Sequence, residues 1–181
     1  MCMFQTNVTL NPEMAETERM QAIRDAFNSD RSQMTLMLAH QLKINEVEII
    51  RALEGDIAHE LDFSRWEEII RAFEPLGNVY VIVSNGAATI EVFGQFGKFT
   101  NTDGFLNVRT QSLDIHIRSW ELAAVFAFRK PSHLDGHEAL SFQFFDRKGN
   151  AAFKVFLNFG GKDPALELVE TYTQLIEKFK K

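Results

Sequence analysis

The chain has 181 residues, of which 45% are apolar and 24% charged, with a formal net charge of −6. That size suits one domain with a proper core, and the acidic balance argues against a general binder of phosphate backbones. No apolar run approaches the ~20 residues that span a bilayer, and the single cysteine, Cys2, excludes an internal disulfide. The opening MCMFQTNVTLNPE lacks the basic-then-apolar order of a secretion signal. Residues 1–12 are therefore expected to form a disordered tail on a cytoplasmic protein, with residues 13–181 as one domain.

Residues 13–76 carry the pattern of a helical part. Asn11-Pro12 followed by early glutamates marks a helix start, and PEMAETERMQAIRDAF continues it. A second helix is expected over Ser32–Gln41. A third is expected over Asn45–Leu53, with Asn45 as cap and Glu48 placed for a capping box. Asp62 or Ser64 is placed to cap a fourth, RWEEIIRAFEPL, which stops near Pro75 and Gly77. The second and third helices have the spacing of a helix-turn-helix. However, Glu46 and Glu48 at the start of the would-be reading helix oppose phosphates, so a structural module is the better reading.

The pattern changes over 78–159. NVYVIVS, ATIEVFG, FLNVRT, LDIHIRS, AAVFAFRK, ALSFQFFD and AAFKVFLNF are short runs separated by turn signals such as Asn85-Gly86 and Lys148-Gly149-Asn150. Tight connections predict an antiparallel meander of about seven or more strands. Most of the seventeen phenylalanines fall here, and they supply either a bulky core or an aromatic pocket wall. A last helix over 164–180 aligns Leu166, Leu168, Val169, Tyr172, Leu175, Ile176 and Phe179 in one stripe that should pack on the sheet. The fold class is α+β.

The stretch from Phe105 to Arg118 has the clearest alternation. Leu106, Val108, Ile115 and Ile117 share one side, while Asn107, Arg109, Asp114, His116 and Arg118 share the other. With Gln111-Ser112 as the loop, Arg109 lies opposite Asp114, Asn107 opposite His116 and Phe105 opposite Arg118. An imidazole flanked by guanidiniums suits a metal-bearing anionic ligand, and the same residues also suit a solvated face with a cross-strand ion pair. His40 and His59 lie in the helical part. His133 and His137 flank PSHLDGHE, whose spacing matches no metal motif. GxSxG, HExxH, P-loop and CxxC patterns are all absent.

Three segments carry a family resemblance: Phe105-Leu106-Asn107-Val108-Arg109, then His116-Ile117, then Phe144-Phe145-Asp146-Arg147-Lys148-Gly149-Asn150-Ala151 leading into Phe153-Lys154-Val155-Phe156-Leu157. In that order, with Ile44–Ile50 ahead of them, they resemble the cytosolic haem-utilisation carriers of Gram-negative bacteria (the HutX/ChuX type), related to the repeats of HemS-type haem-handling proteins. The resemblance implies a non-catalytic homodimeric carrier of non-covalent haem b. Such a carrier passes haem to a degrading enzyme, without nucleic acid or membrane insertion. It places the iron's axial histidine on His116. A second family histidine falls on Ser84, which cannot replace an imidazole. Arg109 and Arg118, with Arg129 or Lys130, would meet the propionates, and Asn107 would line the site. The alternatives are a haem-degrading oxygenase and a helical regulator or interaction protein without haem.

Overall fold

The computed structural model describes Leu10, Asn11 and residues 13–181; Cys2 and most of the expected tail lie outside the described residues. Three helices come first: α1 (Glu16–Ser29), α2 (Thr35–Leu42) and α3 (Glu46–Ala52). The expected capping contact forms, with the Asn45 backbone N–H donating to the Glu48 carboxylate at 3.2 Å. A short strand, β1 (Ala58–Glu60), and α4 (Trp66–Arg71) follow. Asp62 caps the 3₁₀ turn that leads into α4, its carboxylate accepting from the Ser64 backbone N–H at 3.0 Å.

The rest is largely sheet: β2 (Asn78–Ser84), β3 (Thr89–Gln95), β4 (Phe99–Thr102), β5 (Phe105–Arg109), β6 (Asp114–Arg118), β7 (Leu122–Pro131), β8 (Glu138–Asp146) and β9 (Ala151–Asn158). Helix α5 (Leu166–Phe179) closes the described chain. All seven expected strand runs are present, and β1 and β4 join them. The strands do not form one simple meander. Six make a sheet in the order β1-β7-β8-β9-β2-β3, and β4-β5-β6 make a second sheet. β9 returns to pair with β2, Tyr80 opposite Phe156, so the large sheet closes through β9-β2 and β4, β5 and β6, which lie between β3 and β7 in the chain, pair among themselves.

Alternation along β7 fills two separate cores. Val125 and Ala127 join Phe142, Phe144, Phe153 and Val155, and this side is covered by Ile69 and Ile70 of α4 and by Tyr172, Ile176 and Phe179 of α5. Leu106, Val108 and Ile117 of the small sheet pack into the same core. Ala124, Phe126 and Phe128 point the other way, onto Phe27, Leu38 and Ile50 of α1–α3. Most of the phenylalanines named here are core residues. The α5 stripe packs as expected except at its first residue, Leu166, which is exposed. Gly149, in the β8–β9 turn, allows α3 to dock. Its φ is +83°, and a Cβ there would come within 2.8 Å of Val47 Cγ1, while its carbonyl accepts from the Val47 N–H.

Candidate functional site

The β5–β6 pairing has the register read from the alternation: Phe105 opposite Arg118, Asn107 opposite His116, Arg109 opposite Asp114. Because Leu106, Val108 and Ile117 are buried, their neighbours must project to the outer face. There His116 Nδ1 lies 2.5 Å from Asn107 Oδ1. An amide oxygen only accepts, so Nδ1 is the donor in this contact, and in the neutral ring the lone pair then lies on Nε2. The nearest carboxylate, Asp114, has Oδ1 3.6 Å from Nε2 and accepts from Arg109 Nε at 3.0 Å. The imidazole is 56% exposed and the Arg109 side chain 71% exposed, so both are available to a partner. Arg118 lies over the Phe105 ring, with Cζ 5.7 Å from the centroid, and Trp120 packs edge-on to the same ring.

These residues open onto a groove of about 1550 Å³, which also takes Val83 and Phe153 of the large sheet into its walls. Its lining includes the cations Lys98, Arg109, Arg118, Arg147 and Lys148 against the carboxylates Asp103, Glu121 and Asp146. A chain of net charge −6 thus holds a locally cationic concavity, which favours an anionic ligand. Lys98, Arg147 and Lys148 are additions to the sequence reading. Arg147 and Lys148 sit in the tight turn after β8, where the Arg147 guanidinium donates to the Trp120 carbonyl at 2.5 Å. That turn was visible in the sequence, but its approach to β5–β6 is a tertiary event.

Ser84 does not join this group. It ends β2 with its hydroxyl 2.9 Å from Thr89 Oγ1, and it lines a different, smaller cavity of about 240 Å³ between α2 and the large sheet. Lys130 lines that second cavity as well, and burial pushes its ammonium down to about 8. Arg129 pairs with Glu138 at 2.6 Å. His133 also lines the small cavity, where burial and then Lys130 hold its imidazole below the usual range. His137 lies 3.2 Å from Asp163, and no cluster of metal-ligating side chains occurs among the described residues. His40 is exposed near Gly86. The acidic start of α3 is occupied internally: Glu46 is buried and pairs with Lys154 at 2.5 Å, and Glu48 pairs with Arg19 at 2.7 Å. No described helix is long and apolar enough to cross a membrane.

A family model described as the haemin-degrading HemS.ChuX domain matches residues 43–179. The intracellular heme transport protein HutX of Vibrio cholerae serotype O1 is 29% identical over 134 residues, which are 73% of this chain and 67% of that protein. A crystal structure of ChuX superposes with a TM-score of 0.75 at 18% identity, covering 86% of this chain and 96% of that one. The heme degrading enzyme ChuS of Escherichia coli O157:H7 superposes with a TM-score of 0.71 at 22% identity, covering 87% of this chain but 45% of that one. These two structural likenesses speak to fold, and the ChuS chain is about twice as long as the part matched.

Proposed function

The chain belongs to the HemS/ChuX family of haemin-degrading domains, and from that premise we propose that it is a cytoplasmic haem carrier that binds haem b without covalent attachment. The observation that carries the reading is the His116 imidazole, whose Nδ1–H is tied to Asn107 while Nε2 faces a cationic groove. Haem is an apolar disc with an iron that takes imidazole nitrogen and two carboxylates that take cations. His116 Nε2 serves as the axial ligand. Asn107 holds the ring in the tautomer that ligation needs, as outer partners of metal-bound histidines do. Arg109 exchanges Asp114 for a propionate, and Arg118 supplies a second planar fork for a carboxylate. Phe105, Ile115 and Phe153 give the ring apolar wall. Ser84 stays outside this set and does not take the place of the second family histidine; five-coordinate iron, or a sixth ligand other than Ser84, follows, and a single protein ligand would suit release.

The carrier acts as a homodimer and hands haem to a degrading enzyme, with no part for nucleic acid or membrane insertion. The match to less than half of the ChuS chain supports pairing of two copies, and the internal pairing of Glu46 and Glu48 weighs against DNA. Light scattering should give twice the monomer mass. Titrating the protein with hemin should shift and sharpen the Soret band at one equivalent per chain. His116→Ala should alter that band, and an unchanged spectrum removes His116 from the ligand set.

The family description itself favours a second reading, haem degradation. Haem-loaded protein given reductant and oxygen, with catalase present, separates the two. A stable Soret band keeps the carrier, and progressive loss favours the oxygenase.

A further inference from the structure

The small sheet ends on an open edge inside the His116 groove. At the tip of the β5–β6 hairpin the Thr110 N–H donates to the Leu113 carbonyl at 2.8 Å. Bonded and non-bonded pairs alternate along an antiparallel ladder. With the β5–β6 register, Ile115 and Ile117 therefore exchange hydrogen bonds with Val108 and Leu106, while Asp114, His116 and Arg118 turn their backbone groups away from β5. No further strand takes up those groups among the described residues, because the sheet order stops at β6. Ile115, His116, Ile117 and Arg118 all line the groove. Successive side chains on a strand point to opposite faces, so the groove follows the edge itself. Its volume of about 1550 Å³ exceeds the ~300–1,000 Å³ of ordinary small-molecule pockets, which leaves room for an extended chain. Its cations are unevenly matched. Arg109 is held by Asp114, but Lys98, Arg118, Arg147 and Lys148 have no ion pair with a carboxylate among the described residues. Ile115, Ile117 and Phe153 add hydrocarbon to the same walls.

We propose that β6 is a docking edge for an extended acidic segment of a partner protein, which adds to the small sheet as a fourth strand. Main-chain hydrogen bonds to the outward groups of Asp114, His116 and Arg118 supply the attachment. Alternation in the added strand supplies the selectivity. Carboxylates in one phase meet the unmatched cations, and apolar side chains in the other phase meet Ile115, Ile117 and Phe153. A peptide is favoured over a nucleic acid because the open N–H and C=O groups repeat at the spacing of a strand, which a phosphate backbone does not match. The iron and propionates of haem call on side chains, so these backbone groups are a separate recognition element.

Fluorescence anisotropy of the full chain tests this with a labelled heptapeptide of alternating glutamate and valine. It should saturate at one equivalent per chain, and a lysine–valine counterpart should not bind. Two further versions carry N-methyl groups on alternate residues, one version for each phase. The version blocked toward β6 should bind about tenfold or more weakly, and the other should bind like the parent. Equal affinities of the two versions would show that charge alone holds the peptide and would overturn the proposal, as would no saturable binding. Arg118 has φ −84°, which proline accepts. Arg118→Pro removes the edge-facing N–H as well as the guanidinium, so it should bind the parent peptide about tenfold more weakly than Arg118→Gln. Equal binding by the two variants would remove that edge from the contact. Should the proline variant fail to fold, the methylated pair on the wild-type protein decides. Tighter binding of a seven-nucleotide oligothymidylate than of the peptide would make the groove a nucleic-acid site. Conversion of a dimer to monomers by the peptide, followed by light scattering, would give the edge to a second copy. Either result overturns the proposal. Hemin is absent throughout, so the outcome is independent of the haem reading.

Discussion

The two concavities of this molecule make opposite use of charge. In the His116 groove the charges stand in water: Arg109 and Asp114 are 71% and 48% exposed, and their pairing is cheap to exchange. Between α2 and the large sheet the charges are enclosed, with Glu46 at 2% and Lys154 at 16% side-chain exposure. An exposed pair can release a partner to a ligand. An enclosed pair holds the helices in place on the sheet. Binding and architecture are thus carried by ion pairs of the same chemistry in different surroundings.

Three experiments break or sharpen that contrast, the largest effect first. Glu46→Ala strands the Lys154 ammonium and should cost about 3–5 kcal/mol, whereas Asp114→Ala should cost less than about 1 kcal/mol. Urea unfolding of both variants checks the difference, and equal losses would end the distinction. Next is the pH dependence of stability. Lys130 is brought down to about 8 in the fold, chiefly by burial and then by Lys154, against a slight opposing pull from Asp30. Between pH 8 and about 10.5 the unfolded chain holds the proton that the folded chain has lost. Stability should therefore rise with pH across that window, by up to about 3 kcal/mol, and Lys130→Met should flatten the rise. Smaller still is the loss of Asn107. Asn107→Leu should weaken hemin binding by about tenfold to a hundredfold, because Nδ1–H loses its anchor while Nε2 remains. An unaltered titration would show that the tautomer is set elsewhere.

Where the physics is local, the sequence was a good guide. The two-sided alternation of Phe105–Arg118 carried the register down to the Arg109–Asp114 pair, because burying Leu106, Val108 and Ile117 leaves one phase for the pleat. Asn45 and Glu48 announced their own contact. What was hidden depends on distant partners. Glu46 looks like a solvent residue until Lys154, far along the chain, is folded against it. β1 and β4, at three and four residues, are too short for a periodic signal and exist because β7 and β5 present edges to them. The phenylalanine-rich region allowed either a core or a pocket wall, and the resolution turns on alternation across β7, β8 and β9, which only the assembled sheet expresses. The separation of Ser84 from His116 likewise follows from the division into two sheets.

That division has a consequence for the nascent chain. β2 finds its inner neighbour only when β9 has left the ribosome, for Tyr80 must wait for Phe156. During synthesis the apolar run Val79–Val83 is sheltered on one side at most, by β3, while the second hairpin unit and two long strands are still being made. Non-local closure of this kind slows folding and leaves a sticky edge in the interval. Holdase chaperones would be expected to engage this segment, and truncation before residue 151 should leave an aggregating product.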